Sequence, residues 1–184
     1  MIEPEDKVAA VVAAAGGKLV SRVRLQKTVY LLDQFGLSSG FDYEYHPYGP
    51  YSRDLDNATG DAKALGMVDE KIRHREGDGA SYSVFTLTNP GSSDEAALGS
   101  LGRTRAQQLV QKFAGTHVTV LELAATAHWL WQHEHCGDWR TEIGRRKPMK
   151  IGSGRLERAI ALLHELGLSP PEPEGGAVIA HPGR

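Results

Sequence analysis

Residues 68–88 read VDEKIRHREGDGASYSVFTLT, and this stretch decides the fold. Two runs suited to extended backbone, about Val68 to Arg75 and Ser81 to Thr88, flank Gly77-Asp78-Gly79. Glycine supplies the positive φ that a tight reversal needs, so the segment reads as a β-hairpin. Three helical patterns lie upstream. The first covers 4–15, with Pro4 in its first turn beside acidic residues and Gly16-Gly17 as its stop. Ser21 caps a second that runs to about Phe35, where Leu25, Thr28, Val29, Leu32 and Phe35 share one face. Phe41, Tyr43 and Tyr45 then alternate with Asp42 and Glu44 as a short strand. Tyr48-Gly49-Pro50-Tyr51-Ser52 reads as a turn into a third helix, with Pro50 at its start and Leu55, Ala58, Ala62 and Leu65 on its buried face. Helix, helix, helix and hairpin is the order of a winged helix-turn-helix.

Downstream, Asn89 to Ser93 is a Pro/Gly/Ser linker, followed by helical stretches at about 101–114, 119–135 and 155–166. The tail from Ser169 holds four prolines and three glycines, a composition that disfavours regular structure. The expectation is an α+β, mostly helical chain. Residues 1–90 form a winged-helix-like half with a β-hairpin wing. Residues 91–168 form a helical half packed on it as one compact unit, and 169–184 form a flexible tail.

Of the 184 residues, 40% are hydrophobic, enough for a sizeable core, and the formal net charge of −2 gives no support to a general coating of nucleic acid. A lone cysteine, Cys136, excludes an internal disulfide and suits a reducing compartment. The acidic start at Glu3, Glu5 and Asp6 is unlike a secretory signal, and the apolar run Val8 to Ala15 is too short to span a bilayer. The cytoplasm, with no membrane partner, is the expected location.

Several blocks carry a family resemblance. They are Arg24-Leu25-Gln26-Lys27 with Tyr30-Leu31-Leu32, Tyr48-Gly49-Pro50-Tyr51-Ser52, and Tyr82 to Leu87-Thr88. The last is Leu121-Glu122-Leu123-Ala124-Ala125-Thr126, followed by Lys147-Pro148 and Glu157 to Leu168. In this order they resemble the bacterial and archaeal YwgA-like family over roughly residues 5–168. More distantly, the Leu25-Gln26-Lys27 helix and the Tyr48-Gly49-Pro50 turn resemble the Panacea domain of antitoxins and proteolytic-adaptor-like proteins. The chain departs from that domain at Tyr51-Ser52 and in its long helical C-terminal half. The resemblance implies a winged-helix-like fold and supplies no reaction.

Four clusters bear on function. Tyr43, Tyr45, His46, Tyr48 and Tyr51 lie within nine residues and offer large contact area with polar tips. The same residues would also serve to seal strand against helix. Trp131 falls in the row Val120, Ala124, Ala127 and reads as core, whereas Trp129 lies off that row and reads as a partner or dimer contact. Arg22, Arg24 and Lys27 on the second helix, with Lys71, Arg73 and Arg75 on the hairpin, are cations that could meet phosphates or simply be solvated. The helix after Pro50 carries Arg53 and Lys63 against Asp54, Asp56 and Asp61, which opposes phosphate. His128, His133, His135 and Cys136 are close in sequence, but seven helical residues between His128 and His135 rise about 10 Å, too far for one ion.

The leading expectation is a non-catalytic regulatory or interaction module, antitoxin-like or adaptor-like. Its partner is another protein met through Tyr45, Tyr48, Tyr51 and Trp129, with a homodimer as one form. The alternative is a nucleic-acid-binding regulator using Arg22, Arg24, Lys27, Lys71, Arg73 and Arg75. A third reading is a metal-dependent or cysteine hydrolase around His128 to Cys136. No catalytic residue, metal or cofactor is expected.

Overall fold

A computed structural model describes residues 1–89, 91 and 93–173. Helix α1 (Pro4–Ala14) ends at Gly16 and Gly17, whose φ angles of 81° and 87° turn the chain into strand β1 (Lys18–Val20). Ser21 caps α2 (Arg22–Asp33), its hydroxyl accepting the Arg24 N–H at 3.3 Å. Next come β2 (Glu44–His46), β3 (Gly49–Tyr51) and α3 (Arg53–Ala64). The wing is β4 (Val68–His74) and β5 (Ser81–Leu87). A 3-10 segment, Glu95–Leu101, leads to α4 (Arg103–Gly115), α5 (Val118–Gln132), α6 (Trp139–Arg146) and α7 (Arg155–Leu166).

The fold is α+β and mostly helical, and its connectivity is that of a winged helix. The three-stranded antiparallel sheet has the order β1-β5-β4, with Leu19 opposite Phe85 and Lys71 opposite Val84. Strand periodicity puts Leu19, Ser83, Phe85 and Leu87 on the buried side. Strand β1 was not expected, because three residues between two helices carry no periodicity of their own. The turn expected at Tyr48–Ser52 is instead the second strand of a small hairpin, in which Tyr45 pairs with Pro50 and His46 with Gly49. Pro50 therefore does not start α3. Ser52 caps it, accepting the Leu55 N–H at 3.2 Å.

Helix α5 is buried from Val120 through Leu130 and touches α2, α6, α7 and β3. A helix apolar all round must sit inside, and here it joins the buried residues of both halves into one cluster. Among the described residues no helix is long and apolar enough to cross a membrane. Helix α6 was also unexpected: it is short and buries only Trp139 and Ile143, too few positions to show a period. The Trp139 indole N–H donates to the Pro171 carbonyl at 2.8 Å, and Arg140 holds Glu172 in a two-bond contact. The start of the expected flexible tail is thus tied to α6, while residues 174–184 lie outside the described residues.

The tryptophans depart from their helical-row reading: Trp129 is 8% exposed, whereas Trp131 is only half-buried. Truncating the fully buried indole in Trp139→Ala is expected to cost about 3–5 kcal/mol. Trp131→Ala is expected to cost less than half as much, and urea unfolding of the two variants measures the difference.

Candidate functional site

Strand β3 is three residues long, and such a strand pair gains little from its own hydrogen bonds. Its free edge is instead matched by side chains of α2. The Gln26 amide donates to the Ser52 carbonyl at 2.9 Å and accepts the Ser52 N–H at 2.9 Å. Lys27 Nζ donates to the Pro50 carbonyl at 2.6 Å. Across the hairpin, Lys147 Nζ donates to the Pro47 carbonyl at 2.7 Å and to Glu122 Oε1 at 2.6 Å. Lys150 Nζ meets both Glu122 oxygens at 2.7 and 2.8 Å. Gly49, with φ 83°, lies directly against α5: a Cβ there would stand 2.5 Å from Thr126 Oγ1. The blocks Gln26-Lys27, Tyr48–Ser52, Leu121–Thr126 and Lys147 therefore converge on one structure.

The electrostatics are uneven. Lys27 is 1% exposed and Glu122 and Lys147 are also buried, so three lysines face one carboxylate. Desolvation, reinforced by Lys147 and Lys150 and opposed by Glu122, brings the Lys27 ammonium down to about 7. Burial also lowers Lys147, against the pull of Glu122.

The outer side of the hairpin is aromatic. His46 stacks on Tyr48 with ring centres 6.1 Å apart and lies 5.0 Å from the Tyr51 ring. Tyr48 is 51% exposed, and Lys150 Nζ sits 4.6 Å from its centroid. Arg146 covers the half-buried Tyr45 ring at 4.4 Å and is held by Glu134 and Glu142. Tyr48 and Tyr51 thus lie together around His46, whereas Tyr45, next to His46 in the strand, takes the opposite, core-packed face, and Trp129 does not join them at a surface. Its indole donates to Glu134 at 3.0 Å, its ring stacks on His133 at 4.3 Å, and it packs beside Tyr30.

The basic residues separate into two sets. Arg22 makes a two-bond pair with Glu70 at 2.8 Å and reaches Asp56 at 3.2 Å. Arg24 donates to the carbonyls of Val20, Phe113 and Thr116, closing the end of α4. With Lys27 buried, these three cations of α2 hold the fold and do not form a phosphate-facing row. Lys71 and Arg73 are exposed, and Arg75 pairs with Asp78 at the hairpin turn. His128 is buried, its Nδ1 2.8 Å from the Tyr30 hydroxyl, and burial with His133 nearby lowers it to about 4. Among the described residues no three His, Cys, Asp or Glu side chains are placed to hold a metal ion.

Glu122 and Gln26 were not singled out as site residues from the sequence, and Lys147 and Lys150 counted there only among scattered cations that could meet phosphates. One signal was present: Glu122 interrupts an otherwise apolar helix, and a buried glutamate requires a cationic partner. Its partners lie 25 and 28 residues away, a separation that no local pattern reveals.

The buried lysine gives stability a pH dependence. The folded state holds the Lys27 proton less tightly than the unfolded chain, so between about pH 7 and the ordinary 10.5 the unfolded chain binds more protons. Stability therefore rises with pH across that window. The melting temperature of the wild type is expected to climb from pH 7 to 9, and that of Lys27→Met to climb much less. A flat wild-type profile would contradict the assignment.

No family model matches the chain. Among curated proteins it is similar to a DNA ADP-ribosyl glycohydrolase of Thermus aquaticus (strain ATCC BAA-2747 / Y51MC23), 30% identical over 169 residues, covering 85% of this chain and 44% of that protein. It is also similar to the uncharacterized protein YwgA of Bacillus subtilis (strain 168), 30% identical over 77 residues, covering 42% of this chain and 45% of YwgA. The chain spans less than half the length of the curated relatives it matches. The second match supports a YwgA-like relationship for this chain.

Proposed function

We propose that the chain is a non-catalytic interaction module that docks another protein on the outer side of the β2–β3 hairpin, in the antitoxin-like or adaptor-like manner that its Panacea resemblance implies. One observation carries the reading. Gln26, Lys27, Glu122 and Lys147 are buried beneath a hairpin of two three-residue strands, while His46 and Tyr48 on its other side face solvent. A rigid aromatic surface loses little entropy on binding, and tyrosine anchors contribute strongly at interfaces. Lys150, the lysine of this group that reaches the surface, sits over Tyr48 and favours a partner segment rich in Asp and Glu.

The similarity to part of a protein named as a DNA ADP-ribosyl glycohydrolase supports a setting that involves ADP-ribosylated DNA. In that setting this chain is the binding module, not the hydrolase, and a reducing cytoplasm suits its single Cys136.

The full chain, tagged and returned to its host, is expected to retain one acidic-surfaced protein at near-equal yield. His46→Ala/Tyr48→Ala should lose that protein with an unchanged melting temperature. The same preparation should release no ADP-ribose from ADP-ribosylated DNA. Retention indifferent to the two substitutions, or ADP-ribose release by the chain alone, contradicts the reading.

A further inference from the structure

The outer face of the three-stranded sheet is distinct from the hairpin and turns away from the core. Strand periodicity and register place Lys18 and Val20 of β1, Tyr82, Val84 and Thr86 of β5, and Asp69, Lys71 and Arg73 of β4 on it. Arg73 stands directly opposite Tyr82, and Lys71 opposite Val84. Tyr82 is 37% exposed, so its ring is accessible.

Two concave surfaces meet along this face and share Lys18, Tyr82 and Val84. The first adds Lys71, Arg73 and His74, and the second adds Arg24 and Arg75. Neither is lined by an aspartate or a glutamate. The acidic residues near it are few: Asp69 lies on the face itself, opposite Thr86 and 3.8 Å from Lys71 in an exposed pair of little strength, and Asp78 holds Arg75 at the turn. Among the described residues Lys18 and Arg73 have no ion pair. On a chain of net charge −2, this is a local concentration of positive charge around an aromatic ring.

We propose that the outer face of the β1-β5-β4 sheet binds single-stranded nucleic acid, with Tyr82 stacking on a base and Lys18, Lys71 and Arg73 meeting the phosphates beside it. A tyrosine ring flanked by cations fits an unpaired strand, because the bases of a duplex are stacked on one another and present only their edges. The helix that would enter a duplex groove in a winged helix is α3, and it opposes phosphate: Asp54, Asp56 and Asp61 outnumber Arg53 and Lys63, and Lys63 is paired with Glu70 at 2.5 Å. The face shares no residue with the docking hairpin, so either site can fail without the other.

Fluorescence anisotropy with a labelled deoxythymidine oligomer, its RNA counterpart and a duplex of equal length tests the site. At low salt the full chain is expected to bind one or both single strands at least tenfold more tightly than the duplex. Three phosphate contacts give a log–log salt slope of about −2. Tyr82→Ala should weaken binding roughly tenfold or more with that slope retained, and Tyr82→Phe should restore it. Lys71→Glu/Arg73→Glu should abolish binding. If that pair disturbs folding, Lys18→Glu, on the opposite edge strand, should weaken binding and flatten the slope. No single-strand binding at low salt, equal or tighter duplex binding, or indifference to the folded charge reversals overturns the proposal.

Discussion

The Glu122 carboxylate is buried inside an apolar helix, and a charge in that position is stable only when it is paired and hydrogen-bonded. Lys147 and Lys150 supply the pairing, and the first of these reaches on to the Pro47 carbonyl. Helix α5, the segment after α6 and the β2–β3 hairpin are thereby fixed by one group of charges. From the other side, Gln26 and Lys27 of α2 hold Ser52 and Pro50 by their backbone. Breaking a buried pair of this kind by removing one partner typically costs about 3–5 kcal/mol, because the other charge is left without compensation. The hairpin is therefore coupled to the stability of the central helix despite its short strands.

This coupling explains why blocks far apart in the sequence meet at one place. Gly49 permits a positive φ and the close approach of Thr126, Gln26 supplies a donor and an acceptor for one residue of backbone, and Glu122 needs its lysines. None of these requirements is hydrophobic, so none leaves a periodic trace. Helices α1 to α5 and α7 and the β4–β5 wing were legible because their apolar faces or turn glycines repeat at the right spacing. Strand β1 and helix α6 were not, since their positions are set by Phe85 and by the pocket that takes Trp139. Pro50 looked like a helix start for a local reason, and the tertiary pairing with Tyr45 made it a strand residue.

The candidate surface was partly legible. Tyr48 and Tyr51 share the outer side of a hairpin, but Tyr45 packs toward the core, and Trp129 was misplaced because α5 is buried on nearly every side, so leaving one row does not lead to solvent. The basic residues of α2 looked alike in sequence and differ in environment: Arg22 faces Glu70, Arg24 faces helix-end carbonyls, and Lys27 is enclosed. What remains outward are two surfaces of different chemistry. The hairpin offers His46, Tyr48 and Tyr51 beside Lys150, and the sheet offers one tyrosine among cations.

The most direct test of this account is native-state hydrogen exchange at the Ser52 amide, which donates to Gln26, compared with amides in the middle of α5. If the buried polar network makes the hairpin part of the core, the Ser52 amide exchanges only through global unfolding, with the same free energy as α5. Exchange through local fraying, with a free energy several kcal/mol lower than that of α5, would contradict the coupling on which the fold and the docking surface both rest.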